Sequence, residues 1–434
     1  MKNQKIAIIT LGCSKNTVES ESVAGLFVKD GFLLTNDVND ADIILIHTCS
    51  FIQDAQTESR LQIEKACAVK QKNSGLKVFV SGCLPQLLKE KMKSQYPLID
   101  GYTGTGAFGN IVNLIKKNKF FADTLYPGGM NDSRKRVLSD SLPSTYIKIA
   151  EGCSHRCSFC IIPSLRGKYK SRTIKSVTDE AKALADFGIK EINVIAQDTT
   201  AYGTDIYGRP RLDKLLNEMA KIKDLKWIRL LYAYPSTVTE SLLETICAND
   251  NICNYLDIPV QHISKNILSA MKRPVNTYKI IENIKSKFPE ITLRTSLITG
   301  FPGETEKDFK ELACFVRGNW FEHIGIFGYS DQETAGSFKL KNKIAGDITA
   351  ARKQALADIQ FGNVVKNNLK KTGRVFDVLI ESVNKNKAFA RAYFQAPEID
   401  SCIIIGGKQK NAFKPGSFSE VKITGVKGYD LTAN

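Results

Sequence analysis

Tyr146-Ile-Lys-Ile-Ala150-Glu-Gly-Cys153-Ser-His-Arg-Cys157-Ser-Phe-Cys160 is a strand pattern that runs into a loop carrying three thiols. The alternating, β-branched character of residues 146–150 predicts the strand. The loop spacing is C-x3-C-x2-C, whereas a zinc ribbon needs two C-x2-C pairs. Three thiolates this close suit three irons of a cubic 4Fe–4S cluster. The fourth iron is then open to a small molecule, whereas a pure electron carrier normally closes all four positions with Cys. A loop at a strand end is where α/β barrels keep their chemistry. The plainer alternative is a chance group of buried or zinc-binding thiols, although cysteine clusters rarely serve packing alone.

Downstream, apolar runs at 191–196, 227–232, 255–260, 292–298 and 323–329 alternate with helical patterns. With 146–150 they make six strands, short of the eight of a closed barrel. A partial, open β/α barrel over 145–371 follows, with residues 351–371 a helix leading out of it. Upstream, Ile6-Ala-Ile-Ile-Thr-Leu11, Ile43-Ile-Leu-Ile-His47 and Val78-Phe-Val-Ser81 are runs of buried-strand type. Helical stretches follow near 17–29, 53–69 and 86–96. Residues 1–123 therefore predict a small doubly wound α/β domain with a parallel sheet. Residues 124–144, rich in turn formers and charges, predict a linker.

A cysteine follows each of the three upstream strands: Cys13, Cys49 and Cys83. The carboxyl ends of parallel strands share one edge of the sheet, so these cysteines should converge. They fit a second 4Fe–4S cluster with one open iron. Zinc with a water in its fourth position is the rival, and three unrelated core cysteines the plainest case.

Residues 372–434 change character. Val375-Phe-Asp-Val-Leu-Ile380, Ala388-Phe-Ala-Arg-Ala-Tyr-Phe394 and Val421-Lys-Ile-Thr424 read as strands between Gly, Asn and Lys turns. A small antiparallel β-barrel of the oligonucleotide-binding kind fits. The segment holds nine Lys/Arg against six Asp/Glu, a net of +3 that is compatible with RNA but not diagnostic.

The 434 residues suffice for two or three domains, and 43% hydrophobic residues suit globular folding. There is no apolar run of transmembrane length and no signal-peptide pattern at the start, so a cytoplasmic chain with no membrane partner is expected. Eleven cysteines in such a chain point to a reducing compartment, with thiolates used for metal. A net charge of +16 attracts polyanions such as RNA or the ribosome, or serves solubility alone.

The loop at 153–160 resembles the signature of radical S-adenosylmethionine (SAM) enzymes, in which Phe159 would lie near the adenine. The whole chain resembles the methylthiotransferases, which join an N-terminal cluster domain, a radical SAM core and a C-terminal TRAM domain. Leu11-Gly-Cys-Ser-Lys-Asn16 with Glu19-Ser-Glu21, Ile161-Ile-Pro-Ser-Leu-Arg-Gly167, Gln197-Asp-Thr-Thr-Ala-Tyr-Gly203 and Gln395-Ala-Pro-Glu-Ile-Asp400 resemble the branch that modifies an aspartate of ribosomal protein S-twelve, the RimO family. Tyr255-Leu-Asp-Ile-Pro-Val-Gln-His262 and Gly300-Phe-Pro-Gly-Glu304 are shared with the tRNA-modifying branch. The chain departs from the pattern at Ser14 (usually Pro), Glu19 (usually Asp) and His47-Thr-Cys-Ser50 (usually Asn-Thr-Cys-Gly).

The resemblance implies that the Cys153/Cys157/Cys160 cluster cleaves one SAM to an adenosyl radical, which takes a hydrogen from the aspartate β-carbon. The Cys13/Cys49/Cys83 cluster would supply sulfur, and a second SAM the methyl group. Gln197, Gln261 and Arg294, near expected strand ends, are candidates for SAM contact, and Arg294 could pair with the SAM carboxylate bidentately. The implied partners are ribosomal protein S-twelve, a flavodoxin- or ferredoxin-type electron donor and a sulfur donor, with the chain itself a monomer. A tRNA adenosine methylthiotransferase is the nearest rival. A non-enzymatic iron–sulfur or zinc protein that binds RNA is the rival of another class.

Other features read as bland. Gly104-Thr-Gly106-Ala-Phe-Gly109 fits G-x-G-x-x-G but lacks a βαβ unit before it and an acidic residue after it. Cys67, Cys247, Cys253, Cys314 and Cys402 stand singly and read as packing residues. The four histidines lack metal spacing, and His155 reads as shaping the cluster loop.

Overall fold

The computed structural model describes residues 3–106, 111–117, 136–139, 143–384, 387–406 and 413–434. Most of the expected linker, and the last three residues of the glycine motif at 104–109, lie outside them. Compactness groups the chain differently from the three expected segments. One unit comprises Met1–Ser141, Ala150–Arg172 and Ser330–Phe338; the other comprises Leu142–Ile149, Thr173–Tyr329 and Lys339–Asn434.

The first unit is built on a parallel sheet of β1 (Lys5–Thr10), β2 (Leu33–Leu34), β3 (Ile43–Thr48), β4 (Lys77–Gly82) and β5 (Gly101–Thr103), in the order β2-β1-β3-β4-β5. The centre strand β3 is buried on both faces, which is why it reads as an unbroken apolar run. Ile44 and Ile46 join one core with Val78, Val80 and Ile63. Ile43 and Leu45 point the other way, into a core with Phe79, Val23 and Phe27. Helices α1 (Ser14–Lys29) and α2 (Gln53–Lys72) supply the partners from opposite faces. The helix expected over 86–96 is instead two short ones, α3 (Cys83–Leu88) and α4 (Lys91–Gln95). They break at Lys89, whose φ of +52° lies in the left-handed region that interrupts a helix. A further helix, α5 (Ile111–Lys116), packs into the second core.

The chain then forms β6 (Ser144–Lys148) of the second unit and returns in β7 (Ala150–Glu151), which pairs antiparallel with β8 (Lys170–Ser171). This short ladder closes the base of the cysteine loop, and α6 (Ile162–Arg166) lies within the segment so enclosed.

In the second unit β6 joins β9 (Glu191–Ile195), β10 (Trp227–Leu230), β11 (Ile252–Asp257), β12 (Thr292–Thr299) and β13 (His323–Gly328) in an open, all-parallel sheet ordered β13-β12-β11-β10-β9-β6. The six strands are those expected. β11 lies about three residues earlier than its apolar run suggested, because Pro259 has no N–H for a ladder and the strand stops at Asp257. The outgoing helix spans Gly346–Leu369.

The remaining strands, β14 (Val375–Val383), β15 (Ala388–Ala392), β16 (Ile403–Ile405), β17 (Phe418–Lys427) and β18 (Asp430–Ala433), close into a barrel in the order β14-β15-β16-β18-β17. It is not purely antiparallel as expected, since β16 and β18 pair in parallel. Ala388, Ala390, Ala392 and Ala433 alternate with Val378, Ile380, Ile403 and Ile405 to fill its narrow interior. Two buried carboxylates bind this barrel to the open sheet. Glu191 of β9 accepts from Arg229 of β10 at 2.8 Å and from Arg391 of β15 at 2.5 Å. Asp400 accepts from the Tyr255 hydroxyl at 2.6 Å and lies 3.3 Å from the Arg294 guanidinium.

Candidate functional site

Parallel pairing brings the first three cysteines to one edge of their sheet. Cys13 caps α1 just beyond β1, Cys49 follows β3 directly, and Cys83 opens α3 directly after β4. Cys13 is exposed, while Cys49 and Cys83 are buried. Gly12 shows how tightly the Cys13 turn meets Cys49: its φ is +94°, and an added Cβ would lie 2.5 Å from the Cys49 Cβ and 2.9 Å from its Sγ. Only glycine lets the Cys13 turn approach the Cys49 thiol this closely. Burial and then the neighbouring Cys13 push the Cys49 thiol up. Burial pushes the Cys83 thiol up to about 12, against the pull of nearby Arg166. A coordinated thiol gives up its proton outright, so a metal bound here would reverse that preference.

Side chains beneath the cysteines are hydrogen-bonded to one another. The Asn16 amide donates to the carbonyls of Leu11 (2.7 Å) and Thr48 (3.1 Å), fastening the ends of β1 and β3. His47 meets Ser81 through Nδ1 (2.9 Å) and Glu19 through Nε2 (3.2 Å). Glu19 and His47 are two of the positions at which the sequence departs from the resemblance, and here they are bonded to each other. Arg166 donates to Glu19 (2.5 Å), to Asn16 (2.8 Å) and to the Cys83 sulfur (3.5 Å). Burial opposes its charge, but Glu19, Cys83 and Glu151 hold its pKa well above the usual value.

Cys153, Cys157 and Cys160 sit half-buried on the loop between β7 and α6. The Cys153 amide donates to the Gly167 carbonyl (3.0 Å), the Cys160 amide to Cys157 (3.1 Å), and Ser337 to the Ser158 carbonyl (2.7 Å). Gly152, at φ +76°, lets this base close, since a Cβ there would strike the carbonyls of Gly167 and Lys168. Phe159 is half-buried on the same loop. No cysteine is engaged in a disulfide. Among the described residues, no three His, Cys, Asp or Glu side chains meet closely enough to hold a single metal ion. A cluster gives each thiolate its own iron and so asks for a wider triangle of thiols than one shared zinc does. In donor chemistry, three thiols in each set suit three irons of a 4Fe–4S cluster.

The SAM-contact candidates belong to the second unit. Gln197 lies two residues beyond β9, on a turn set by Asp198, whose carboxylate accepts from Thr200 N (2.9 Å) and Oγ1 (2.6 Å). Gln261 holds φ +71°, with its backbone bonded to Ser296 and Ile298 beyond the end of β11. A non-glycine residue in that conformation marks a site of over-determined geometry. Arg294 departs from expectation. It is the third residue of β12, not a strand end, and its guanidinium is committed to Asp257 (3.1 Å) and Asp400 (3.3 Å). Its Nη1 donates to Asp257, while its Nε lies 3.3 Å from Asp400 without a hydrogen bond.

Beside Gln261, His262 is fully buried, and burial lowers its pKa to about 4, so it is neutral. Its Nδ1 accepts from Ser264 N (3.0 Å). Glu304 accepts from Gly300 N (2.7 Å), Thr299 Oγ1 (3.0 Å) and Arg352 (2.9 Å), locking the turn after β12. In the sequence both stand in shared motifs, and His262 is one of four histidines without metal spacing. Sequence reading missed Arg166, whose signal was a basic residue at the end of Ile161–Gly167 with no charged partner nearby in sequence. Of the cysteines read as packing residues, Cys314 is exposed instead, on the outward side of the helix Glu306–Arg317.

Three family descriptions match in turn. They are the uncharacterized protein family UPF0004 over residues 5–104, the radical SAM superfamily over 147–316, and the TRAM domain over 372–434. The ribosomal protein uS12 methylthiotransferase RimO of Endomicrobium trichonymphae is 50% identical over 99% of this chain and 98% of its own length. The protein of the same name from Clostridioides difficile is 40% identical over 98% of each. Among solved structures, the radical SAM methyltransferase TsrM from Kitasatospora setae superposes with a TM-score of 0.58 at 13% identity, covering 78% of this chain and 77% of that one, which speaks for the fold alone. With half its residues shared with one such relative along nearly the whole length, and with the UPF0004, radical SAM and TRAM matches following one another along it, the chain belongs to the ribosomal protein uS12 methylthiotransferase RimO family.

Proposed function

We propose that this chain adds a methylthio group to the β-carbon of an aspartate in ribosomal protein S-twelve, using two 4Fe–4S clusters and two molecules of SAM. The observation that carries the reading is the pair of three-cysteine sets in one compact unit; three thiolates would leave the fourth iron of each cluster open. The bound clusters would supply an electron to SAM at Cys153/Cys157/Cys160 and hold sulfur at Cys13/Cys49/Cys83. The chain's own part is to hold the thiolates. Gly12 and Gly152 clear space for the two turns, and Asn16 fixes the first set to its strands. Phe159, Gln197, Gln261 and Arg294 are the residues proposed to bind SAM. A C–H bond with no acidic proton calls for a radical and not a base, which is why neither His262, held neutral in the interior, nor Glu304 is assigned a proton-transfer role. A flavodoxin- or ferredoxin-type electron donor and a separate sulfur donor complete the reaction, which we place in the cytoplasm with the chain as a monomer. Among the described residues no helix is long and apolar enough to cross a membrane.

Anaerobic reconstitution is expected to load two clusters, about eight irons per chain. One tightly held zinc and no iron would overturn the reading. With SAM and a reductant, Cys157→Ala is expected to lose 5′-deoxyadenosine formation. Cys49→Ala should keep it while losing modification of purified ribosomal protein, read by mass spectrometry. Methylthiolated tRNA nucleosides with an unmodified ribosomal protein would favour the tRNA reading.

A further inference from the structure

The hydrogen-bond network joins Arg166 to all three turns of the Cys13/Cys49/Cys83 site. Arg166 is buried to 3% exposure at the end of α6, six residues after Cys160. One nitrogen of its fork donates to Glu19 (2.5 Å) and Glu151 (3.2 Å). The other donates to the Cys83 sulfur (3.5 Å) and to Asn16 (2.8 Å). Asn16 in turn holds the carbonyls of Leu11 and Thr48, which immediately precede Gly12-Cys13 and Cys49. The helix that carries Arg166 is itself seated against the same site: Ile161 and Leu165 pack with Cys83, and the Thr105 hydroxyl donates to the Leu165 carbonyl at 2.6 Å. The loop of one cysteine set therefore continues, within six residues, into the electrostatic environment of the other.

We propose that Arg166 is a positioning residue for the Cys13/Cys49/Cys83 cluster: it donates to the Cys83 thiolate and offsets the charge of the site, tying the potential of that cluster to the segment carrying the other. This rests on the two-cluster reading above. The potential of an iron–sulfur cluster follows its net charge, its burial and the hydrogen bonds to its sulfurs. A guanidinium is the suitable donor here, because it keeps its charge when buried and serves several acceptors from one rigid fork. Adding an electron makes a cluster more negative, so a fixed cation beside it favours the reduced form. Removing that cation shifts the midpoint to more negative values.

The test uses the full-length chain with Cys153, Cys157 and Cys160 all changed to Ala, so that only one set can hold iron. Iron content, the electron paramagnetic resonance spectrum after reduction and the midpoint potential are compared for this background and for versions adding Glu19→Gln or both Arg166→Gln and Glu19→Gln. Removing Glu19 together with Arg166 avoids leaving its carboxylate buried without a counter-charge. The background is expected to hold one 4Fe–4S cluster; if it holds none, the two-cluster reading itself fails. The double change is expected to give a midpoint more negative than Glu19→Gln alone, with an altered reduced spectrum. If midpoint and spectrum match those of Glu19→Gln, Arg166 only braces the fold and the inference is overturned. Arg166→Lys keeps the charge and loses the fork, and serves as the milder variant if the glutamine change costs the iron. It should shift the midpoint the same way by less, and an unshifted midpoint in a folded, iron-loaded Arg166→Lys protein would count equally against the proposal.

Discussion

A single hydrogen decides the geometry at Gly12. Its positive φ and the 2.5 Å approach of a hypothetical Cβ to Cys49 leave no side chain permissible there. Gly12→Ala is expected to cost about 1–3 kcal/mol in strain and to lower the iron retained, read by urea unfolding and iron assay. Backbone conformation of this kind was foreshadowed in the sequence only as a glycine before a cysteine. The cysteines themselves were legible, because each ends an apolar run and parallel strands end together. The Glu19–His47 bond was not. Each residue alone reads as a departure, and only the fold shows that β3 and α1 bring the two together, so that the larger side chains satisfy one another. The commitment of Arg294 to Asp257 and Asp400 was invisible for the same reason, since Asp400 is remote in sequence and reaches it only through the barrel's docking.

Among the elements, the six sheet strands were readable from hydrophobic runs, while the short β16 and β18 were not, being three and four residues long. The consequential contact between elements is the buried Glu191 with Arg229 and Arg391. The surrounding interior works to raise the Glu191 pKa, yet the two guanidinium groups bring it down from 4.5 to about 2. A carboxyl whose folded pKa lies below its unfolded one adds stability above the unfolded value and loses it on acidification. Resistance to urea is therefore expected to fall as pH drops from about 4.5 toward 2, and Glu191→Gln should flatten that dependence. The same change leaves two buried cations short of a partner, at a cost of about 3–5 kcal/mol. A urea midpoint unchanged by Glu191→Gln at neutral pH would count against the triad as a fastening.

Over the whole molecule, the compact units cut across the order in which the sequence presents its segments. All six cysteines fall in the first unit, and the C-terminal barrel belongs with the open sheet in the second. A chain ending near residue 370 keeps every cysteine of both sets. It removes Arg391 from Glu191, and Asp400 from Tyr255 and Arg294, so it is expected to keep its iron but to melt at a lower temperature than the full chain. Reading such a truncation as a clean test of recognition would confuse lost binding with lost stability; substitutions on exposed barrel side chains avoid that. The barrel also closes on itself, β14 to β17 and around through β18, β16 and β15. Among the described residues, a closed ring of strands offers no row of spare backbone donors and acceptors, so a partner does not enlist it by adding a strand. Whatever the C-terminal segment grips, it must grip by side chains and loops, and its choice can be rewritten one residue at a time without disturbing the ladder underneath.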